Sequence, residues 1–152
     1  MSVRYDIMTQ VTSALTNITT DNDYNTTVGS VGEKIQHWEQ VNKSDFPALF
    51  PIDADEAKDS FAIGTGDGNM LGTLTVLVTA MVFNTDDDAR RLARTNLMLD
   101  VEKALVNHAA LAALIVDIRP TRIVTDKGTI PDYSIWDQEF EIDYQYDRED
   151  GG

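Results

Sequence analysis

The sequence contains no cysteine. Disulfides, thiolate zinc sites and a cysteine nucleophile are therefore excluded. Histidine is scarce, with only His37 and His108 present. Neither accompanies a G-x-S-x-G elbow or falls in H-E-x-x-H, so no serine-hydrolase triad or zincin site is readable. Both are read as satisfied or surface histidines. Positive charge is scarce too: 12 Lys and Arg face 26 Asp and Glu, for a net charge of −14. Such a surface repels phosphate and anionic membranes, which argues against a nucleic-acid clamp. It does not exclude a protein through which DNA must slide without sticking, a task that a like-charged wall suits. Long hydrophobic runs are missing. The longest, Met70 to Phe83, is broken by Gly72, Thr73, Thr75 and Thr79 and falls short of the roughly 20 residues that span a membrane. The first ten residues carry Arg4 and Asp6 and no apolar run, so no signal peptide is expected. The expected setting is reducing cytoplasm, or a particle assembled there.

What is present is an ordinary globular composition. The 152 residues, 42% of them hydrophobic, suffice for one domain over residues 1–152 with a real core. Val3, Ile7, Val11, Leu15 and Ile18 fall on one helical stripe, with Ser2 as a candidate N-cap. Thr19 to Thr27 is polar and turn-rich, a loop with little to hold it. Val28 to Val41 reads as an extended start followed by an irregular or helical stretch. Phe46 to Ile52, with Pro47 and Pro51, reads as an edge strand or a strand end. Asp53 to Ser60 is expected to be an acidic turn, and Gly64 to Asn69 a flexible loop.

Met70 to Phe83 is the clearest strand. Leu74, Val76, Val78, Ala80 and Val82 share one face; Thr73, Thr75, Leu77, Thr79, Met81 and Phe83 share the other. A second helix starts at Thr85 or Asp86 and ends near Asn107. Its inward stripe is Ala89, Ala93, Leu97, Val101, Ala104 and Leu105, widened by Leu92, with Asp86–Arg90 and Asp87–Arg91 as i, i+4 pairs. Ala109 to Leu114 adds a short turn. Ile115 to Thr125 reads as a strand broken at Pro120, and Asp126-Lys127-Gly128 as a turn. Ile135 to Tyr146 alternates strictly. Trp136, Gln138, Phe140, Ile142, Tyr144 and Tyr146 lie on one face; Asp137, Glu139, Glu141 and Asp143 lie on the other. The end from Asp147 reads as a mobile tail. The fold class is α+β: an antiparallel sheet with two main helices packed on one side.

Several constellations fail as chemistry. Asp53, Asp55 and Asp59 begin like a calcium loop, but Lys58 stands where glycine is needed and Gly64 where glutamate is needed. Gly64, Gly66 and Gly68 form G-x-G-x-G ahead of a strand, so they open no helix on which a phosphate could sit. No cofactor is implied. The acidic face of the last strand admits two readings. One is a solvated sheet surface. The other is the wall of a negatively charged lumen, suggested by four like charges with few Lys or Arg expected nearby.

The arrangement resembles the tail terminator (tail-completion) proteins of long-tailed bacteriophages. The resemblance covers most of residues 3–146. It is carried by the N-terminal amphipathic helix, Phe46-Pro47-Ala48-Leu49-Phe50 with acidic residues soon after, and the long strand Leu74 to Phe83. The second helix, Ile115 to Ile118 and the closing Phe140-Glu141-Ile142-Asp143-Tyr144 complete it. The resemblance implies a structural subunit, without cofactor, that forms a hexameric ring. That ring caps the tail tube, stops its polymerisation and meets the head-completion (stopper) protein, while DNA passes through without specific binding. The expected location is the neck of the virion. On this reading Asp137, Glu139, Glu141 and Asp143 line the channel, and Gly64, Gly66, Asp67 and Gly68 belong to a partner-contact loop. The polar stretch Thr19 to Ser30 and the Gly-rich loop depart from the pattern, leaving open which loops meet tube or neck. Competing readings are another neck component such as a stopper protein, a small metal-dependent carboxylate enzyme, and a monomeric ligand-binding domain.

Overall fold

A computed structural model describes residues 2–60 and 69–147. Ser2 caps helix α1 (Val3–Thr16), its side chain accepting from the Tyr5 backbone N–H. The one-sided stripe does what its spacing dictates: Ile7, Val11, Leu15 and Ile18 are fully buried. Helix α2 (Asp87–Asn107) buries Leu97, Val101, Ala104 and Leu105, and the short α3 (Ala109–Ala112) adds Leu111. Both long helices lie on one face of a five-stranded sheet.

The strands are β1 (Ser30–Val31), β2 (Ala48–Ser60), β3 (Asn69–Phe83), β4 (Asp117–Thr125) and β5 (Tyr133–Asp147). Their order across the sheet is β1-β2-β3-β5-β4. All neighbours are antiparallel except β1 and β2, which pair in parallel over two residues. The architecture is α+β, as the element pattern predicts. β3 and β5 pair along all 15 residues, a length of about 50 Å. Rows such as Val76–Phe140 and Leu74–Ile142 put the apolar residues of both strands under the helices. Their burial on the helix-facing side forms the main core.

The sheet's other face is divided. At one end a smaller core forms, where Trp38, Val41 and Phe46 pack on Ala48, Phe50, Met81 and Ile135. The rings of Trp38, Phe46, Phe83 and Tyr133 meet there. The irregular stretch between β1 and β2 thus serves as a cover for half of this face. Among the described residues no segment gives such cover to the remaining half, from Leu77 and Glu139 towards Leu71.

Three expectations are corrected. Asp53 to Ser60 is strand, not turn: it continues β2 and pairs with β3 through a bulge between Asp53 and Glu56. Its residues have weak β preference, and the ladder with the central strand overrides it. Phe46 to Ile52 does hold a strand end, since β2 begins at Ala48, and β1 flanks it over Ala48 and Leu49. Leu92 is 63% exposed and lies outside the buried stripe. Arg90 pairs with Asp87 at 2.6 Å, one turn back at i, i+3, and also donates to the Asn84 carbonyl, so the two expected i, i+4 pairs are replaced.

The loop from Thr19 to Thr27 is held rather than free. Asp100, 2% exposed on α2, accepts from both the backbone and the side-chain N–H of Asn25 at 3.2 Å. Lys103 donates to the Asp23 carbonyl and stands over the Tyr24 ring. Burial, then the nearby Asp100 charge, raises the Tyr24 hydroxyl pKa. The tail and Gly64, Gly66, Asp67 and Gly68 lie outside the described residues, apart from Asp147, which closes β5.

Candidate functional site

β5 brings Asp137, Glu139, Glu141 and Asp143 onto the sheet face opposite the helices, one per two residues, because strand side chains alternate. The strands on either side then decide what each carboxylate meets. On β3, the Thr79 hydroxyl donates to Asp137 at 2.6 Å and the Thr73 hydroxyl to Asp143 at 2.7 Å. On β4, Arg119 reaches across. Its Nη1 donates to Asp143 at 2.7 Å and its Nη2 to Glu141 at 2.8 Å. Arg119 also lies 3.4 Å from Asp117. Arg122 stands 3.4 Å from Glu139, whose other oxygen accepts from the Thr121 hydroxyl at 2.9 Å.

The expectation that this strand has few cations beside it is therefore corrected. Two arginines of the neighbouring strand pair with three of the four carboxylates. They follow from the β4–β5 register, in which Arg119 faces Glu141 and Arg122 faces Glu139. The electrostatic consequence is mutual. The Asp143 carboxyl is held below its ordinary range first by the Arg119 hydrogen bond; burial opposes this, and the Thr73 hydrogen bond adds a smaller downward push. Arg119 is correspondingly pushed up by Asp143 and then Glu141. With Asp117 included, five carboxylates still stand against two guanidiniums, so the face remains net negative. It is also wet: the Glu141 and Asp143 side chains are 35% and 21% exposed. That degree of hydration, together with the pairing, lets the charges persist without the cost of burying unpaired ions.

A second polar cluster ties α1 to the bulge of β2. Arg4 bonds Asp53 at 2.7 Å and approaches Glu56 at 3.7 Å. The Tyr144 hydroxyl donates to Glu56. Burial, then this bond, raises the Tyr144 pKa. The Asp53 bond is the largest influence raising Arg4. Every partner is internal, so the cluster fastens one element to another.

The histidines are placed on separate elements in local roles. His37 Nδ1 accepts from the Glu39 backbone N–H, and His108 Nε2 lies 3.1 Å from Gln10. Among the described residues no three His, Asp or Glu side chains are grouped as a metal site, and no helix is long and apolar enough to cross a membrane. Asp53 and Asp55, expected at a turn, stand on β2 instead. The arrangement offers a charged, hydrogen-bonded sheet surface.

Sequence reasoning found the four carboxylates and missed Arg119, Arg122, Thr73 and Thr79 as their partners. The available signal was Arg-x-x-Arg in a strand beside an alternating acidic strand, together with threonines at period two in β3. No protein-family model matches the sequence, and no curated protein is significantly similar to it.

Proposed function

We propose that this protein is a structural subunit of a phage neck: a tail terminator that assembles into a hexameric ring on the end of the tail tube. The observation that carries the reading is the half of the sheet face that no described segment covers, where β5 presents Glu139, Glu141 and Asp143, all part-exposed, opposite the helical layer. A two-layer subunit with one helical and one acidic sheet face suits a ring wall with helices outside and sheet inside. DNA passing such a wall is not held by the counterion release that Lys and Arg provide. The resemblance in element order over residues 3–146 supports the same reading, as does a net charge of −14. The tail tube protein and the head-completion protein are the proposed partners.

The experiment is native mass measurement with low-resolution imaging of the purified protein, alone and with tube protein. The expected result is a six-fold annulus in at least one condition. A monomer in every condition, with no capping of tube ends, overturns the reading.

A further inference from the structure

The sheet has two edges, and the described residues leave much of both without a flanking strand. β4 forms one edge along its nine residues. At the other, β1 pairs with β2 only at Ala48 and Leu49, so among the described residues no strand flanks β2 from Pro51 onward. Such edges are templates for another chain. Their directions also fit. β2, β3, β5 and β4 are successively antiparallel, so β4 runs opposite to β2. A copy related by rotation about an axis along the strands keeps its orientation, and its β2 then lies antiparallel to this β4. Followed across the sheet, Arg122 is level with Glu139, Leu77 and Ile52. Arg119 is level with Glu141 and Thr75, at the height of the β2 bulge.

The two edges differ in charge and shape. β4 carries Arg119 and Arg122 against Asp117, with Arg122 67% exposed at its side chain. The open part of β2 carries the exposed Asp53 and Asp55, Asp53 being paired with Arg4 of α1, while Glu56 is turned inward to Tyr144, Arg4 and Lys58. Beside β4, α2 presents Leu99 and Val106, 57% and 45% exposed. Glu102 lines both their surface depression and the cleft with Pro120 and Ile123, so the two apolar surfaces adjoin. At the opposite edge, α1 and β2 leave a groove of about 440 Å³ lined by Tyr5, Met8, Pro51 and Asp53.

One edge is thus an apolar ridge bearing the exposed Arg122, and the other a groove beside the exposed Asp53 and Asp55. A surface that matches a different surface of the same molecule makes head-to-tail contacts, which close into a ring when the rotation closes. We infer that the occupant of the β4–α2 edge is a second copy of this chain, seated by its β2 edge and its α1–β2 groove. The inference rests on the ring reading and adds which surfaces meet. It leaves the acidic face of every subunit on the same side of the ring wall. Pro120 and the two bulges interrupt a continuous backbone ladder, so side-chain packing and the arginine–carboxylate contacts carry much of the joint.

The native absence of cysteine makes the test clean. Thr121→Cys on β4 is combined in turn with Ile52→Cys, Ala54→Cys or Asp55→Cys on β2, which samples neighbouring registers. Within one chain β4 and β2 are three strand spacings apart, about 14 Å, and a disulfide tolerates about 7 Å between Cα atoms. Every disulfide formed is therefore between copies. The expected result is a covalent ladder reaching the mass of the ring for at least one pair, while each single-cysteine variant stops at traces of dimer. Rings seen by native mass without a ladder from any pair overturn the interface and leave the ring reading standing. Strong dimer from Thr121→Cys alone overturns it in favour of a two-fold contact between β4 edges. Monomer throughout, in all variants and the parent, removes the ring reading and this inference with it.

Discussion

Gly72 of β3 lies directly across from Tyr144 of β5, and a Cβ added at Gly72 would come within 2.8 Å of the phenol ring. The missing side chain is what lets the ring lie flat over β3, fully buried, and reach Glu56 on the next strand. Gly72→Ala forces the ring or the backbone aside in a packed core. It is expected to cost about 1–3 kcal/mol in a denaturant titration. The same substitution should lower the Tyr144 pKa towards that of an ordinary tyrosine, read by ultraviolet absorbance, because the ring loses burial and its Glu56 acceptor together. An unchanged midpoint and an unchanged titration would show that the sheet accommodates the methyl group elsewhere.

Phe140 tests the register of the whole sheet. It is fully buried, opposite Val76, in the core that also holds Leu97 and Val101. Phe140→Ala should cost about 3–5 kcal/mol, measured by chemical unfolding. A loss below about 1 kcal/mol would fit only a strand slipped by one residue, since a slip exchanges the two faces.

Much of this was legible because one periodicity decides it. In β5 and β3, period two assigns every residue to helix side or open side, and in α1 the four-residue steps do the same. The second half of β2 was not legible, because Asp, Ala, Glu and Lys carry little strand preference and β3 supplies the pairing. Leu92 was read as inward because it continues an apolar arc; the arc that α2 buries against the sheet is narrower. The Arg119–Asp143 pair depends on which strand neighbours β5, and Asp100 on a partner 75 positions away. Neither fact is local, so neither leaves a mark in a sequence window.

Asp100 supplies a local prediction. It accepts both hydrogen bonds that hold Asn25, while among the described residues its second, buried oxygen has no hydrogen-bond partner. Asp100→Ala removes the acceptor and strands the Asn25 backbone N–H, at a cost of about 1–3 kcal/mol. Hydrogen exchange should show Asn25 protected in the parent and much faster in the variant, with β3 and β5 unchanged. Equal exchange rates would mean that the loop is held by Lys103 and its own contacts instead.

The Arg119–Asp143 pair sets an acid limb. The folded carboxyl lies below the ordinary value of about 3.9, so its stabilisation is complete above that value. It is lost as pH falls through the lower, folded one. Arg119→Gln removes the main cause of the depression and should move the Asp143 carboxyl titration upward in carbon-detected NMR, with a shallower loss of stability over the same acid range. Thr73→Val should give a smaller shift in the same direction, since Thr73 contributes less than Arg119. A larger shift from Thr73→Val would reverse that order.

The last prediction concerns the acidic face as a channel wall. Six copies would place about twenty-four carboxylates from β5 around the lumen, with the β4 arginines among them. DNA meeting this net negative wall is repelled rather than captured, and it moves without a fixed resting place. Glu139→Lys with Glu141→Lys reverses the balance on the face. It also removes the Arg122–Glu139 and Arg119–Glu141 pairs, though Arg119 keeps Asp143, so some stability is lost by like-charge repulsion as well. Glu139→Gln with Glu141→Gln breaks the same ion pairs without adding positive charge, and therefore isolates the effect of the lysines. Both double variants should fold and form rings by native mass. Only the lysine variant should slow or block DNA delivery from otherwise complete particles, and that defect should ease as salt screens the new attraction. Equal defects in both variants would assign the loss to the broken pairs. Normal delivery by lysine-bearing rings, or an assembled ring whose acidic face points outward or into a neighbouring subunit, would remove the lumen role even with the ring itself established.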